Sequence, residues 1–197
     1  MSHFFAYLSR LRYIRRWGLM RNTQQENDAE HSLQVAMIAH ALAVMSRDRY
    51  HNDVNPEHVL ALAVYHDATE VITGDLPTPV KYHSAALRDA YKRLEAMAAT
   101  RLTQMLPEEM QGEFGPYLES GATYEHKLVK AADSICAYIK CLEEQQAGNP
   151  EFDAAGANVL NFIQEMNLPE VNDFMAEFVP SFTLTLDELN RDGGGLL

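Results

Sequence analysis

One stretch narrows the possible folds more than any other: Val59-Leu60-Ala61-Leu62-Ala63-Val64-Tyr65 runs straight into His66-Asp67-Ala68-Thr69-Glu70, and Gly74 follows. An apolar run opened by Asn55-Pro56 predicts a buried helix, because Pro56 loses nothing by lacking a first-turn N–H and Gly74 suits its end. In one continuous helix His66 and Glu70 stand four apart and Asp67 and Glu70 three apart, so all three project to one side. An imidazole and a carboxylate in so greasy a segment need a strong partner, since an unpaired buried polar or charged group is costly. A bound metal answers that need. So does a hydrogen-bonded pair in an ordinary core helix, and the pentapeptide alone does not choose between them.

Helical spacing accounts for most of the remaining chain. Phe4, Phe5, Leu8, Leu11 and Ile14 predict an amphipathic helix over about 3–15, ended by Arg16-Trp17-Gly18 and followed by a polar stretch at 21–27. Asn27 or Asp28 caps a helix reaching about Met45, with Leu33, Met37, Ala41, Val44 and Met45 on one face. Asp75-Leu76-Pro77-Thr78-Pro79-Val80-Lys81 is expected to be non-helical, because each proline pushes the residue before it to an extended conformation. Ser84 caps a long helix through Leu106, and Pro107 and the 112–116 stretch interrupt the chain again. Tyr124 to Gln146 carries Leu128, Ala132, Ile135, Ile139 and Leu142 at helical spacing and closes at Gly148-Asn149-Pro150. Helices around 151–166 and 170–179 and a short piece near 186–190 follow; 181–186 is ambiguous, and 192–197 is a flexible tail. With no repeat, linker or clear β-alternation, the reading is one all-α domain over residues 1–197.

Composition excludes some partners. The 197 residues fit a single domain, and 47% apolar content supports a core. Sixteen basic against 28 acidic side chains leave a net charge of −12, the wrong sign for a nucleic-acid polymer. A single nucleotide in a locally basic or metal-charged pocket is compatible with it. Cys136 and Cys141, five apart in a helical run, turn about 140° from each other and should not bridge, which suits a reducing cytoplasm. No apolar run approaches the roughly 20 residues that span a bilayer. Arg10, Arg12, Arg15 and Arg16, with no acid before Glu26, loosely mimic an organelle transit peptide, but they follow an apolar stripe able to pack.

Three separate predicted helices carry residues of the same chemistry: His31 after Glu30, then His66-Asp67, then Asp133 in Lys130-Ala131-Ala132-Asp133-Ser134. Each alone is an ordinary helix-start or helix-surface residue. The ordered set H…HD…D resembles the HD-domain metal-dependent phosphohydrolases, which are all-helical. Arg16-Trp17, E-H-S at 30–32, Y-H-D-A-T-E at 65–70 and G-D-L-P-T-P-V-K-Y at 74–82 look like bacterial 5′-deoxynucleotidases. The later V-K-A-A-D, K-C-L-E-E and F-V-P-S-F-T-L-T-L-D-E runs fit the same family, so the resemblance spans nearly the whole chain.

That resemblance implies an HD-type helical bundle with His31, His66, Asp67 and Asp133 as ligands of one divalent cation. Two imidazoles and two carboxylates suit Co²⁺ or Mn²⁺ and leave positions open for water and a phosphate oxygen. It implies Glu70 as the catalytic acid/base, Arg16 on the phosphate, Trp17 as a wall that leaves no room for a 2′-hydroxyl, and Asp75, Leu76, Pro77 and Thr78 as a loop across the nucleotide. Asp75 would accept from the sugar 3′-hydroxyl or a water. The implied activity is hydrolysis of deoxyribonucleoside 5′-monophosphates with broad base tolerance, by a cytoplasmic homodimer with no nucleic-acid or membrane partner. Hydrolysis of a nucleoside triphosphate or cyclic nucleotide, and a metal-free nucleotide-binding or scaffolding module, are the alternatives. His40 reads as a core histidine, and His3, His51 and His58 have no evident partner.

Overall fold

The computed structural model describes residues 1–81 and 83–192; the 193–197 part of the expected tail lies outside them. Among the described residues the regular structure is helical: α1 (Phe4–Leu8), α2 (Asp28–Tyr50), α3 (Pro56–Tyr65), α4 (Glu70–Thr73), α5 (Thr78–Lys81), α6 (Ala85–Thr103), α7 (Glu108–Leu118), α8 (Tyr124–Gln146), α9 (Asp153–Glu165), α10 (Pro169–Glu177) and α11 (Leu186–Asp192). Short 3₁₀ turns stand at Ser9–Tyr13, Pro150–Phe152 and Val179–Thr183. None of the helices is long and apolar enough to cross a membrane.

Side-chain caps set several of the starts. Asn27 accepts from the N–H groups of Ala29 and Glu30, Asn55 from those of Glu57 and His58, Ser84 from Leu87 and Thr123 from His126. α2 and α8 pack together with α3, α9 and α10 around a main core that includes Val35, Leu42, Val59, Leu128, Ile135, Ile163 and Val171. A smaller core gathers Phe4, Ala68, Ala99, Leu102, Leu106 and Leu118. The His66-Asp67 segment sits at the join, α3 belonging to the first core and Ala68, 1% exposed, to the second.

Several expectations are corrected. The N-terminal segment is one α-turn followed by a 3₁₀ turn rather than a continuous helix to residue 15. α2 runs on to Tyr50 and buries Val35, Ile38, Ala39, Leu42 and Ala43, while Leu33 and Met37 are exposed. That helix carries apolar residues on every side, so packing against α3 and α8, not periodicity, chooses its inner face. The 75–81 stretch does contain a helical turn, α5: Val80 and Lys81 both donate to Pro77 O, and Pro79 falls in the first turn where no N–H is required. Pro107 precedes α7, but 112–116 does not break the chain. α7 contains Pro116 near its end with the ring exposed, while Gly115 and Leu118 are buried and Phe114 and Tyr117 half-buried. The ambiguous 181–186 stretch is 3₁₀ as far as Thr183, and α11 begins at Leu186.

Candidate active site

The central segment is not the continuous helix its spacing suggested. α3 stops at Tyr65, and the next residues form a tight turn in which Ala68 N donates to Tyr65 O and Glu70 N to Asp67 O before α4 begins. The turn is pinned at both ends, by buried Ala68 and by Gly74, whose carbonyl accepts from the Tyr91 hydroxyl at 3.1 Å. Gly74 has φ +72°, a conformation an L side chain would strain. A second local pairing brings in the N-terminal residues. Around an antiparallel bridge between Arg15 and Asn27, Arg16 N donates to Glu26 O and Asp28 N to Ile14 O. Arg16, Trp17, Glu26 and Asp28 are thereby carried to the start of α2, beside His31, and α8 supplies Asp133.

Four of the expected side chains converge. His31 Nε2 lies 3.1 Å from Asp133 Oδ1 and 3.8 Å from Asp67 Oδ2, and His66 Nε2 lies 3.1 Å from Asp67 Oδ2. His31, His66 and Asp133 each offer an atom within 4.8 Å of the others. Asp67 also faces the other way, closing a second cluster with Asp28 and Glu70. Both imidazoles are oriented from behind: His66 Nδ1–H donates to Ala63 O at 2.8 Å, and His31 Nδ1–H to Glu26 Oε1 at 3.1 Å. This is how metal-ligating histidines are held, with Nε2 presented to the ion. His66 Nε2 is buried without a hydrogen-bond partner, a lone pair that a cation would satisfy. The donor set fits a divalent metal site.

The electrostatics agree. Burial opposes the charged form of His31, but its hydrogen bonds to Asp133 and Glu26 outweigh that and raise it to about 9. Burial works against ionised Asp67 and Asp133 too. The neighbouring His66 and Arg16, and for Asp133 Lys130 and His31, keep both below the usual carboxylate range. Burial pushes Glu70 up to about 11, helped by the negative charge of Asp67, Asp28 and Asp75. Arg16 rests on the carboxylates, with Nη1 3.2 Å from Asp67 and 3.6 Å from Asp28, and Nη2 3.9 Å from Asp133.

The chain matches the family model described as 5′-deoxynucleotidase YfbR-like over residues 3–182. The chain belongs to the YfbR-like 5′-deoxynucleotidase family. It is 52% identical over 194 residues to 5′-deoxynucleotidases from Yersinia pseudotuberculosis and Photorhabdus laumondii, covering 98% of each chain. In structure it is similar to an HD-domain phosphohydrolase from Listeria innocua, with a TM-score of 0.78 at 26% identity over 95% of this chain and 92% of that one.

Within this YfbR-like site, the remaining expected residues are also traceable. Trp17 adopts a left-handed backbone, φ 56°, worth about 1–2 kcal/mol of strain for a bulky residue. It is held by Met20 N and Asn22 Nδ2 on its carbonyl, by Phe152 against its ring at 5.3 Å, and by Glu26 Oε2 accepting from its indole N–H at 3.0 Å. Asp75, Leu76 and Pro77 are half-buried, and Asp75 lies close enough to Arg16 for their charges to interact. Thr78 opens α5, and its side chain lies outside the described residues. Two residues of this site escaped the sequence reading. Asp28, read only as a possible cap, is 0% exposed with neither carboxylate oxygen hydrogen-bonded, and burial pushes it up to about 6. Glu26 passed as part of a polar loop. Nothing local announced either one, since both are placed by the pairing of 14–16 with 26–28.

Proposed function

We propose that this protein hydrolyses 2′-deoxyribonucleoside 5′-monophosphates to deoxynucleoside and phosphate, with His31, His66, Asp67 and Asp133 holding one divalent cation, Co²⁺ or Mn²⁺. The observation that carries the reading is the convergence of His31, His66, Asp67 and Asp133, with His66 Nε2 buried, 3.1 Å from Asp67 and not hydrogen-bonded, in a chain half-identical to 5′-deoxynucleotidases. His31, His66, Asp67 and Asp133 would hold the divalent cation, which would supply Lewis acidity to a phosphoryl oxygen.

Once ionised, Glu70 takes a proton from the attacking water as its oxygen bonds to phosphorus, and the P–O5′ bond breaks. The same carboxyl returns the proton to O5′ of the departing deoxynucleoside. The Arg16 fork turns from Asp67 and Asp133 to pair two phosphoryl oxygens and to stabilise their growing charge. Trp17 walls the sugar and leaves a 2′-hydroxyl no room. Asp75 accepts from the 3′-hydroxyl, while Leu76, Pro77 and Thr78 cover the nucleotide. Because sugar and phosphate are gripped and the base is not, several bases are accepted. The working unit is one HD-type domain over residues 1–197, acting as a cytoplasmic homodimer.

The test is a phosphate-release screen over ribo- and deoxyribonucleotides with a panel of metals. Release from deoxynucleoside monophosphates in Co²⁺ or Mn²⁺ supports the reading. Release of triphosphate from nucleoside triphosphates, with none of phosphate from monophosphates, would replace it with the alternative hydrolysis.

A further inference from the structure

Glu26 touches three parts of the site at once. Its Oε1 accepts from His31 Nδ1–H at 3.1 Å, and its Oε2 accepts from the Trp17 indole N–H at 3.0 Å and lies 3.8 Å from Arg16 Nε. The side chain is 12% exposed, and its backbone carbonyl is tied to Arg16 N–H. It therefore cannot swing away from one partner without leaving another. His31 Nδ1–H and the Trp17 indole N–H both donate to it, so both of its oxygens serve as acceptors.

We infer that Glu26 is a positioning residue that sets cation affinity and sugar selection together. Oε1 fixes the proton of His31 on Nδ1 and so turns Nε2 toward Asp133 and Asp67. Oε2 holds the Trp17 ring, on its strained backbone, at one distance from the same cluster. The cation and the sugar wall are thus referenced to a single carboxylate, and a sugar seated against Trp17 is placed relative to the ion. The part concerning sugar selection rests on the proposed deoxynucleotidase function; the tether between His31 and Trp17 does not.

The chemistry dictates the variant. All three side chains around Glu26 are donors, and glutamine has one acceptor oxygen and one amide that is itself a donor, so Glu26→Gln cannot satisfy both the His31 and the Trp17 contact. Co²⁺ binding to the metal-free protein, followed by calorimetry, should weaken about 10- to 100-fold, the usual cost of losing a histidine's outer partner. Trp17 is the single tryptophan of the chain, so its fluorescence reports this contact directly. In the wild type its emission should shift when Co²⁺ is replaced by a non-quenching ion such as Zn²⁺ and titrated in, and that shift should vanish in Glu26→Gln. The deoxy-to-ribo ratio of kcat/KM should fall about tenfold, the scale of one charge-assisted hydrogen bond.

Trp17→Phe separates the two arms. It keeps a ring and removes the N–H, so it should lower the sugar ratio while leaving Co²⁺ affinity within about twofold of wild type. Should Glu26→Gln fail to fold, Glu26→Asp, one methylene too short to reach both partners, carries the same expectations. Co²⁺ affinity and the Trp17 emission response both unchanged in the Glu26 variant, or an unchanged sugar ratio in Trp17→Phe, overturns the inference. Absence of wild-type hydrolysis would sink the proposed function instead, and calorimetry and fluorescence would still decide the tether.

Discussion

Glu144 offers the sharpest test of how the Trp17 loop is held. It is 1% exposed and accepts from Lys140, itself 6% exposed, from the backbone N–H of Thr23 at 2.9 Å and its hydroxyl at 2.7 Å, from Gln24 N–H at 3.2 Å and from Asn149 Nδ2 at 2.9 Å. Lys140 also donates to Gln24 O. Glu144→Gln leaves the Lys140 ammonium buried without its counter-charge and puts an amide donor among other donors. Breaking one partner of a buried pair costs about 3–5 kcal/mol. For a chain of 197 residues, at about 2–4 °C per kcal/mol, the melting temperature should fall by roughly 6–20 °C.

The pH dependence has a definite sign. Burial would raise Glu144, but Lys140, Asn149 and Thr23 pull it well below the ordinary carboxylate range. A depressed folded-state value stabilises the fold above the unfolded value, about 4.3, and that contribution is lost as pH falls through the folded value. The gap between wild type and Glu144→Gln should therefore be widest near neutral pH and narrow progressively in acid. Thermal melts of the metal-free protein at several pH values measure it. A neutral-pH fall under about 2 °C, or a gap that widens in acid, would refute the argument.

Three further outcomes follow from the site. Glu70→Gln should keep cation binding by calorimetry and lose about 10²- to 10⁴-fold in the rate of phosphate release; wild-type turnover would remove its proton role. Trp17→Ala should admit ribonucleotides, so that the deoxy-to-ribo ratio of kcat/KM collapses, and an unchanged ratio would remove the wall. His66→Ala takes away a proposed ligand whose ring is anchored through Ala63 O, so cation binding should be lost with the far-UV circular dichroism intact; retained affinity would strike it from the ligand set.

The residues proposed as ligands were legible in the sequence because their chemistry is carried by residue type and order: His31, His66-Asp67 and Asp133 stand out on three predicted helices. Their exact presentation was not. His66 and Asp67 reach the site from a tight turn, not a helix face, because Ala68 is drawn into the smaller core and ends α3 early. Glu26 and Asp28 were invisible for a different reason, since a pairing between distant backbone segments aims them and no local pattern encodes it. The same limit explains α2, whose inner face is selected by its neighbours, and α7, where burial of Gly115 and Leu118 prevails over Pro116. The α8 stripe, by contrast, was read correctly, with Leu128, Ala132, Ile135 and Ile139 buried and Leu142 half-buried against the same core.

The central claim is that one cation, held by His31, His66, Asp67 and Asp133, drives hydrolysis of a deoxynucleotide. Titrating the metal-free protein with Mn²⁺ or Co²⁺ while following phosphate release from deoxyadenosine monophosphate tests it directly. The account predicts activity that rises to a plateau at a single equivalent per chain and stays at baseline in Asp133→Asn. Activity that needs a second equivalent, or that survives in Asp133→Asn, would contradict it.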